Sequence, residues 1–295
     1  MKMAAFDYHR PASLDETLDL LARHGADAKV LAGGQSLVPV MAMRLATPAH
    51  VIDIGRVAGL DRIEPVDGGL QIGALVRQSA AAASPDVART VPLLAKALPW
   101  IGHRAIRNRG TVCGSIAHAD PAAELPAVAR ALDATMIARS ARGTREIPAA
   151  DFFAGYLSTA LADDELLVGV RLPACAPRTG AAVCELARRH GDFALAGTAL
   201  SIVFDQSGSI DSASCALFGV ADTPVRAESA AVVLQGRRPS AALFAEAAAA
   251  VSAALNPPDD DHASGAYRRH VAGVIVRRAL AQATADAGVD MERAA

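Results

Sequence analysis

The first apolar pattern along the chain is that of a short amphipathic helix. Ser13-Leu14-Asp15-Glu16 has the form of a capping box, in which a serine hydroxyl and a glutamate carboxylate bond to the free amides at a helix start. Leu18 and Leu21 continue the apolar face that Leu14 begins, and Gly25 is a helix stop signal. The pattern therefore predicts a helix that ends near Gly25.

A strand, a tight turn and a second helix are predicted next. The apolar run at residues 29–32 ends in Gly33-Gly34, and residues 36–45 have a helical pattern with Pro39 in the first turn. A β-branched strand is expected at residues 50–54. These elements form a small α/β unit, which we place at residues 1–54.

Strands and helices continue up to a proline-rich break. Three apolar runs of strand length lie at residues 70–73, 134–138 and 165–172, and a helical stretch lies at residues 122–132. Pro173-Ala174-Cys175-Ala176-Pro177 disfavours regular structure on both sides, so it is the candidate linker. We place the second unit at residues 55–175.

The pattern changes beyond this linker. Three strands joined by short turns are expected at residues 182–188, 195–204 and 209–220, which predicts an antiparallel three-stranded sheet. Alanine-rich helical segments follow at residues 226–235, 240–255 and 267–285. The third unit is placed at residues 176–295.

Composition narrows the class of protein. The chain is 52% hydrophobic and 20% charged with a net charge of -2, so it can bury a large core and has no excess of positive charge for nucleic acid. An acidic residue at Asp7 precedes any apolar segment of a secretory signal. The apolar stretch at residues 193–204 is shorter than the roughly 18 residues of a membrane span. We therefore expect a soluble cytoplasmic protein.

The cysteines and histidines do not form a recognisable metal motif. Cys113, Cys175, Cys184 and Cys215 are scattered and include no C-x-x-C pair, which disfavours both an iron–sulfur cluster and structural zinc. The eight histidines likewise show no metal-ligand spacing. No bound metal is expected in this chain.

The candidate chemistry begins at Gly33-Gly34. Glycines between a strand and a helix let backbone amides approach an anion, and the helix dipole assists, so a diphosphate is a natural ligand. Many strand-to-helix turns need a glycine and bind nothing, which is the alternative for this loop. No two glycines are separated by one residue, which excludes the G-x-G-x-x-G motif of dinucleotide-binding Rossmann folds. Gly68 and Gly73 have the spacing of a P-loop, but Ala74 follows where that motif requires lysine, which excludes a P-loop NTPase.

A second loop has similar chemistry. Arg109-Gly110-Thr111-Val112-Cys113-Gly114-Ser115 combines hydroxyls, glycines and amides. Asp120 and Glu124 follow at helical spacing, so they either accept hydrogen bonds from sugar-like hydroxyls or only cap a helix. Arg104 and Arg107 precede the loop and form either a solvated face or a complement to phosphates or a partner.

Three stretches of the chain carry recognisable motifs: Ala32-Gly33-Gly34-Gln35-Ser36-Leu37, then Arg107-Asn108-Arg109-Gly110-Thr111-Val112-Cys113-Gly114-Ser115 with His118-Ala119-Asp120-Pro121-Ala122-Ala123-Glu124, and finally Arg188-Arg189-His190-Gly191-Asp192-Phe193. Together they resemble the medium, flavin-binding subunits of the xanthine oxidase and carbon monoxide dehydrogenase family of molybdenum hydroxylases. The resemblance covers nearly the whole chain, and two spaced motifs in order make it more specific than either loop alone.

The resemblance implies an α+β fold with a vanillyl-alcohol-oxidase-type FAD-binding domain of two α/β subdomains and a C-terminal domain with an antiparallel sheet and helices. It implies that both loops bind the FAD pyrophosphate, that Asp120 or Glu124 lies near the ribityl chain, and that Ile101 and Val168 contact the flavin. No acid–base catalytic residue is required, because the cofactor performs the redox chemistry. The implied binding residues are Leu31, Ala32, Gly33, Gly34, Gln35, Ser36, Leu37, Ile101, Thr111, Cys113, Gly114, Ser115, Asp120, Glu124, Val168 and Phe193.

Two positions depart from the family pattern. Cys113 replaces the first glycine of Thr-x-Gly-Gly, so either its φ is negative and its amide faces the phosphate, or the loop is displaced. Phe193 stands where some relatives have tyrosine; it either stacks on the isoalloxazine or is an ordinary core residue.

The resemblance further implies a molybdenum-cofactor large subunit, an iron–sulfur small subunit and assembly as a dimer of heterotrimers. FAD in this chain would accept electrons from the iron–sulfur clusters and pass them to an external acceptor. Two alternatives remain open from the residues: a free-standing FAD-dependent oxidoreductase with its own substrate pocket, and a non-catalytic nucleotide-binding or scaffold module.

Overall fold

The first sheet is small and parallel. In the computed structural model, which describes residues 2–292, it has the strand order β1-β3-β2. The predicted cap forms with one shift: Ser13 Oγ accepts a hydrogen bond from Glu16 N at 3.1 Å, and the Glu16 carboxylate accepts one at 2.8 Å from Ala12 N, one residue before the N-cap. The elements are β1 (Asp7–His9), α1 (Leu14–His24), β2 (Ala28–Leu31), α2 (Leu37–Ala42) and β3 (His50–Asp53), with a 3-10 turn at Gly25–Asp27.

The second sheet is antiparallel and has the order β4-β5-β10-β6-β7. Its strands are β4 (Ile63–Val66), β5 (Gly69–Gly73), β6 (Thr135–Ser140), β7 (Gly143–Pro148) and β10 (Leu166–Pro173), while β8 (Phe153–Gly155) and β9 (Ser158–Thr159) form a separate two-stranded hairpin. Its helices are α3 (Gln78–Ala83), α4 (Pro85–Thr90), α5 (Pro92–Ala97), α6 (Arg104–Arg107), α7 (Val112–His118), α8 (Glu124–Ala131) and α9 (Ala149–Phe152), with a 3-10 turn at Leu98–Trp100. The sequence pattern identifies the central strands but not the edge strands β4 and β7, because these are mostly solvent-exposed and lack an apolar run.

The third sheet has four strands, so the expected three-stranded sheet is wrong in its strand number. The elements are β11 (Thr179–Ala187), β12 (Ala194–Phe204), β13 (Ile210–Phe218), β14 (Val225–Arg226), α10 (Glu228–Leu234), α11 (Ala241–Ala254) and α12 (Gly265–Asp286). The extra strand pairs Val225 with Leu217 and Arg226 with Ala216. Two residues are too few to show strand periodicity, and Arg226 is held extended by Asp133, whose carboxylate lies 2.6 Å from its guanidinium.

The third sheet joins the two halves of the chain. Ala181 and Val183 belong to the core shared with the first two sheets, whereas Ala182 and Cys184 belong to the core formed with α11 and α12. Gly219 N donates to Pro121 O at 2.7 Å, which fastens the region after β13 to the segment before α8. Alternate side chains of β11 therefore pack into two different hydrophobic cores, one on each face of the sheet.

The mixed helix-and-sheet architecture expected from the sequence is confirmed. Residue 1 and residues 293–295, at the outer ends of the first and third predicted units, lie outside the described residues. Within residues 2–292, every helix is too short or too polar to span a lipid bilayer.

Candidate functional site

The first loop presents a row of backbone amides. Leu31 ends β2, and its carbonyl oxygen accepts a hydrogen bond from Ile54 N at 3.0 Å, which fixes where the loop begins. Among residues 2–292, the amides of residues 33–36 have no hydrogen-bond partner. Gly34 has a φ of +72°, a conformation that glycine adopts without strain. Consecutive free amides at a turn are the donor set that an anionic phosphate requires.

The side chains of the first loop leave this surface open. Gln35 turns back on the loop, and its Nε2 donates to Gly33 O at 3.1 Å. Ser36 precedes α2 without a capping hydrogen bond, so its hydroxyl stays available to a ligand. Leu37 begins α2, and Ala32 and Leu37 are both half-buried.

The second loop is held more tightly by its own chain. Thr111 caps α7, and its Oγ1 accepts a hydrogen bond from Gly114 N at 3.0 Å. Ser115 N donates to Thr111 O at 3.2 Å, whereas among the described residues the Ser115 hydroxyl and the Cys113 amide have no partner. Most amides of the second loop are therefore already used, and it offers mainly the Ser115 hydroxyl and one amide.

The two loops touch each other. A Cβ built on Gly33 would lie 2.4 Å from Arg109 O and 2.7 Å from Gly110 Cα. A Cβ built on Gly114 would lie 3.9 Å from the Cβ of Ala32. The two loops therefore lie in contact, which places the segment with the free amides next to the segment that carries the Ser115 hydroxyl.

Cys113 resolves the first departure from the family pattern. It lies in the first turn of α7, and its backbone is not in the positive-φ region. Its thiol points into the core and donates to Ile72 O at 3.4 Å, and burial raises the pKa of the thiol to about 12. The φ of Cys113 therefore meets the condition of the first alternative, and the side chain lies in the core.

Asp120 and Glu124 occupy different environments. The Oδ1 atom of Asp120 accepts a hydrogen bond from Ala122 N at 2.9 Å, and among the described residues Oδ2 is left without a partner. Glu124 is buried, and burial, followed by repulsion from Asp120, raises the pKa of its carboxyl to about 7. Asp120 is thus the better placed of the two to accept hydrogen bonds from a ligand.

A third carboxyl group lies close to Glu124, and the sequence pattern does not identify it. Glu185 on β11 has a pKa raised to about 8, first by burial and then by the charge of Glu124. Its Oε2 atom has no hydrogen-bond partner within residues 2–292. Strand alternation marks Glu185 as one polar residue among apolar neighbours, but only the packing of β11 shows what it faces.

The residues expected to contact the flavin lie in three separate segments of the chain. Ile101 is half-buried and its carbonyl oxygen accepts a hydrogen bond from Arg107 Nη1 at 2.8 Å. Val168 is half-buried at the irregularity between Leu167 and Gly169 in β10. Phe193 is 68% exposed in the turn between β11 and β12, so the core-residue alternative is wrong.

The turn that carries Phe193 packs near Ile101. A Cβ built on Gly191 would lie 2.8 Å from His103 Cε1, and the rings of Trp100 and His190 meet edge to face at 6.2 Å. Tertiary packing therefore brings the turn that carries Phe193 close to Ile101, which lies 92 residues earlier in the chain.

Two further residues support the second loop. Arg77 donates through Nη1 to Arg109 O, and Gln78 N donates to Gly110 O at 2.9 Å. The Gln78 side chain is buried, and its Oε1 atom has no partner among the described residues. Neither residue stands in a recognisable motif, so the sequence alone does not identify them.

The arginines before the second loop separate into two groups. Arg107 is structural, because its guanidinium also donates to Gly102 O at 3.0 Å. Arg104 and Arg109 are exposed.

Two cavities of about 610 and 260 Å³ lie away from both loops, against α5 and the third sheet.

Comparison with known proteins identifies the class. A family model described as the FAD binding domain in molybdopterin dehydrogenase matches residues 4–175, and one described as the CO dehydrogenase flavoprotein C-terminal domain matches residues 181–283. The chain belongs to this family and is an FAD-binding medium subunit of a multi-subunit molybdenum hydroxylase, an oxidoreductase. The expected cofactor, FAD, is thereby confirmed.

Individual relatives match over almost their full length. The chain is 40% identical to the alpha subunit of the 6-hydroxypseudooxynicotine dehydrogenase complex of Paenarthrobacter nicotinovorans, with 96% of each chain covered. It is 39% identical to the carbon monoxide dehydrogenase medium chain of Hydrogenophaga pseudoflava, covering 93% of this chain and 96% of that one. A solved structure of carbon monoxide dehydrogenase from the same organism superposes with a TM-score of 0.93 at 39% identity, covering 97% and 99% of the two chains. Quinoline 2-oxidoreductase from Pseudomonas putida 86 also gives a TM-score of 0.93, at 38% identity and with the same coverage.

Proposed function

We propose that the chain accepts electrons from iron–sulfur clusters of a small subunit, holds them on FAD and passes them to an external acceptor. One observation carries the binding part of this proposal: two loops lie in backbone contact, and the amides of residues 33–36 in the first loop have no partner among the described residues. When bound, FAD supplies the redox chemistry, so the protein has to bind, orient and shield it.

Each part of the site has a distinct task in this proposal. The amides of residues 33–36 and the hydroxyls of Ser36 and Ser115 bind the pyrophosphate, and Asp120 Oδ2 accepts a hydrogen bond from the ribityl chain. The neutral thiol of Cys113 anchors α7 from behind, without contributing negative charge near the phosphates. Leu31, Ala32, Gln35, Leu37, Thr111 and Gly114 hold the loops in place, while Glu124 orders the start of α8.

Apolar groups face the flavin ring in this proposal. Ile101 and Val168 are half-buried, which leaves part of each side chain available to a flat ligand. Phe193 is exposed on a turn that packs near Ile101, a position from which its aromatic face can stack on the isoalloxazine.

The electrons have to come from another polypeptide. Cys113 lies in α7, Cys184 in β11 and Cys215 in β13, all buried, whereas Cys175 is exposed after β10. A cluster of the usual kind needs four thiolates converging on one site, and these four do not form such a group within residues 2–292. This supports a small iron–sulfur subunit as the electron donor and a large molybdenum subunit as the site of substrate hydroxylation.

The proposal extends to the oligomeric state, the cellular location and the domain boundaries of the chain. We propose a dimer of heterotrimers, by analogy with the family, and a cytoplasmic location, which four free thiols support because reducing compartments preserve them. We further propose three units, at residues 1–54, 55–175 and 176–295, since each contains one of the three main sheets.

Expression of the tag-free full chain by itself tests the electron-transfer proposal. The chain should carry flavin that acid precipitation releases, contain neither iron nor molybdenum, and leave the substrate of the native complex unoxidised. A pull-down from the native host should recover a large molybdenum subunit and a small iron–sulfur subunit. Stoichiometric iron in the isolated chain, or oxidation of a substrate by the isolated chain, would instead favour the free-standing oxidoreductase.

A further inference from the structure

Three histidines from separate elements meet on the first sheet. His9 ends β1, His24 ends α1 and His50 begins β3. One ring nitrogen from each lies within 4.8 Å of the other two, and His9 Nε2 lies 3.1 Å from His50 Nδ1. The rings of His24 and His50 have centroids 3.7 Å apart. Three imidazoles are thus concentrated at one point of the fold.

A carboxylate adjoins the three rings. Asp7 pairs directly with His50 in the β1–β3 register, and its Oδ2 atom lies 3.7 Å from His50 Nδ1. The Asp7 side chain is 78% exposed, which leaves it free to turn toward the rings. Three nitrogens and one carboxylate oxygen make up a four-ligand set.

We propose that His9, His24 and His50 bind a zinc ion, with the Asp7 carboxylate as the fourth ligand. Zinc binds imidazole nitrogen at about 2.0–2.1 Å, so tetrahedral ligands lie roughly 3.3 Å apart. The His9–His50 separation of 3.1 Å already fits this spacing, and the other separations between ring nitrogens, within 4.8 Å, close by rotation of the half-buried histidine side chains. The exposed Asp7 side chain, 3.7 Å from His50 Nδ1, has to rotate toward the other two rings.

A hydrogen bond between two histidines does not account for the third. His9 and His50 satisfy one another, but among the described residues His24 has no hydrogen-bond partner. A metal ion gives all three rings the same role. Imidazole also suits copper and nickel, which prefer square-planar or tetragonal sites, so the choice of zinc rests on the tetrahedral spacing of the ligands.

The zinc site is separate from the flavin loops. His50 pairs with Ala28 at the start of β2, whereas the first loop follows Leu31 at the other end of that strand, roughly 10 Å away. Zinc would join the end of α1 to β1 and β3 and so brace the first subdomain. FAD binding should therefore survive loss of the zinc, which keeps this proposal independent of the proposed electron-transfer role.

Zinc titration of the tag-free, chelator-treated full chain tests the site. We expect one zinc per chain by calorimetry and a rise in melting temperature on binding. His9→Gln, His24→Gln and His50→Gln should each weaken zinc affinity by at least about 100-fold, because loss of even a supporting group costs 10–100-fold. His270→Gln, at an exposed histidine on α12, is the matched control and should bind like the wild type.

Retained flavin in each variant shows that it folds. If a variant does not fold, anomalous diffraction at the zinc edge from wild-type crystals replaces it, with a peak expected about 2.1 Å from the three ring nitrogens. Absence of stoichiometric binding by the wild type, unchanged affinity in all three variants, or an equal loss in His270→Gln overturns the site. Tighter binding of nickel than of zinc by the same residues overturns the choice of zinc.

Discussion

Gly33 lies in backbone contact with Arg109: a Cβ built on Gly33 would lie 2.4 Å from the Arg109 carbonyl oxygen. That oxygen also accepts a hydrogen bond from the Arg77 guanidinium, so it is held from a second side. The two loops therefore pack against each other at Gly33, where there is no room for a side chain. Their relative placement depends on glycine here.

Gly33→Ala should separate the loops and weaken FAD binding by about 10- to 100-fold, since overpacking of this kind costs about 1–3 kcal/mol. Flavin fluorescence quenching during titration of the apo chain measures the affinity. Gly236→Ala is the control, because Gly236 has a φ of +74° and nothing within 4 Å, so alanine there strains the backbone far from the loops. Wild-type FAD affinity in Gly33→Ala would contradict the proposed pyrophosphate site.

Cys113→Ala should lower stability without changing FAD affinity. The thiol is 2% exposed and points away from the loop surface, so its loss leaves a small cavity that costs about 1–2 kcal/mol. Urea unfolding and FAD titration measure the two effects separately. Cys215→Ala, at a thiol that is 3% exposed in the third sheet, should behave in the same way. A selective loss of FAD from Cys113→Ala would mean that the side chain, and not only the amide, contacts the ligand.

Phe193→Ala should alter the flavin absorption envelope while the melting temperature stays nearly constant. The ring is 68% exposed, so removing it costs little folding energy, whereas stacking on the isoalloxazine would be lost. Phe193→Tyr should retain the wild-type spectrum. Val232→Ala, at an exposed residue of α10, should change neither property. An unchanged spectrum in Phe193→Ala would show that the ring does not contact the flavin.

Glu124 and Glu185 should together make a contribution to stability that falls as pH rises from about 4.5 to about 8. Folding raises the pKa of Glu124 to about 7 and of Glu185 to about 8, so in this window the folded chain binds more protons than the unfolded chain. The stabilisation is complete below the ordinary carboxyl pKa and is lost as these groups ionise. Thermal melts across this range measure the effect.

Glu185→Gln should flatten this pH dependence, because a neutral amide replaces one of the two carboxyl groups. At pH 8.5 we expect its melting temperature to exceed that of the wild type by about 2–4 °C, the shift that roughly 1 kcal/mol produces, a value discounted for the partial exposure of Glu185. Glu246→Gln removes only an exposed ion pair with Arg237 and should leave the slope unchanged. An unaltered slope in Glu185→Gln would show that folding does not raise the pKa of Glu185.

The sequence by itself determines the features that depend on neighbouring residues. The capping box places the start of α1 at Leu14 and glycine ends it at Gly25, because those hydrogen bonds form within one turn. Apolar runs likewise locate β5, β10 and β12, because most residues of these strands are buried and therefore apolar. The two loop motifs and their order were enough to indicate FAD and the subunit family, both of which the comparisons confirm.

Only the tertiary structure decides what residues far apart in the chain do together. β14 exists because β13 offers a free edge and Asp133 holds Arg226, neither of which leaves a periodic signal. Tertiary packing buries the Cys113 thiol in the core, leaves Phe193 exposed and places Glu185 beside Glu124. The same packing gathers His9, His24 and His50, which follow one another at intervals of 15 and 26 residues and match no local metal motif. Contacts of this kind arise from chain closure and shared burial, and no window of sequence contains both partners.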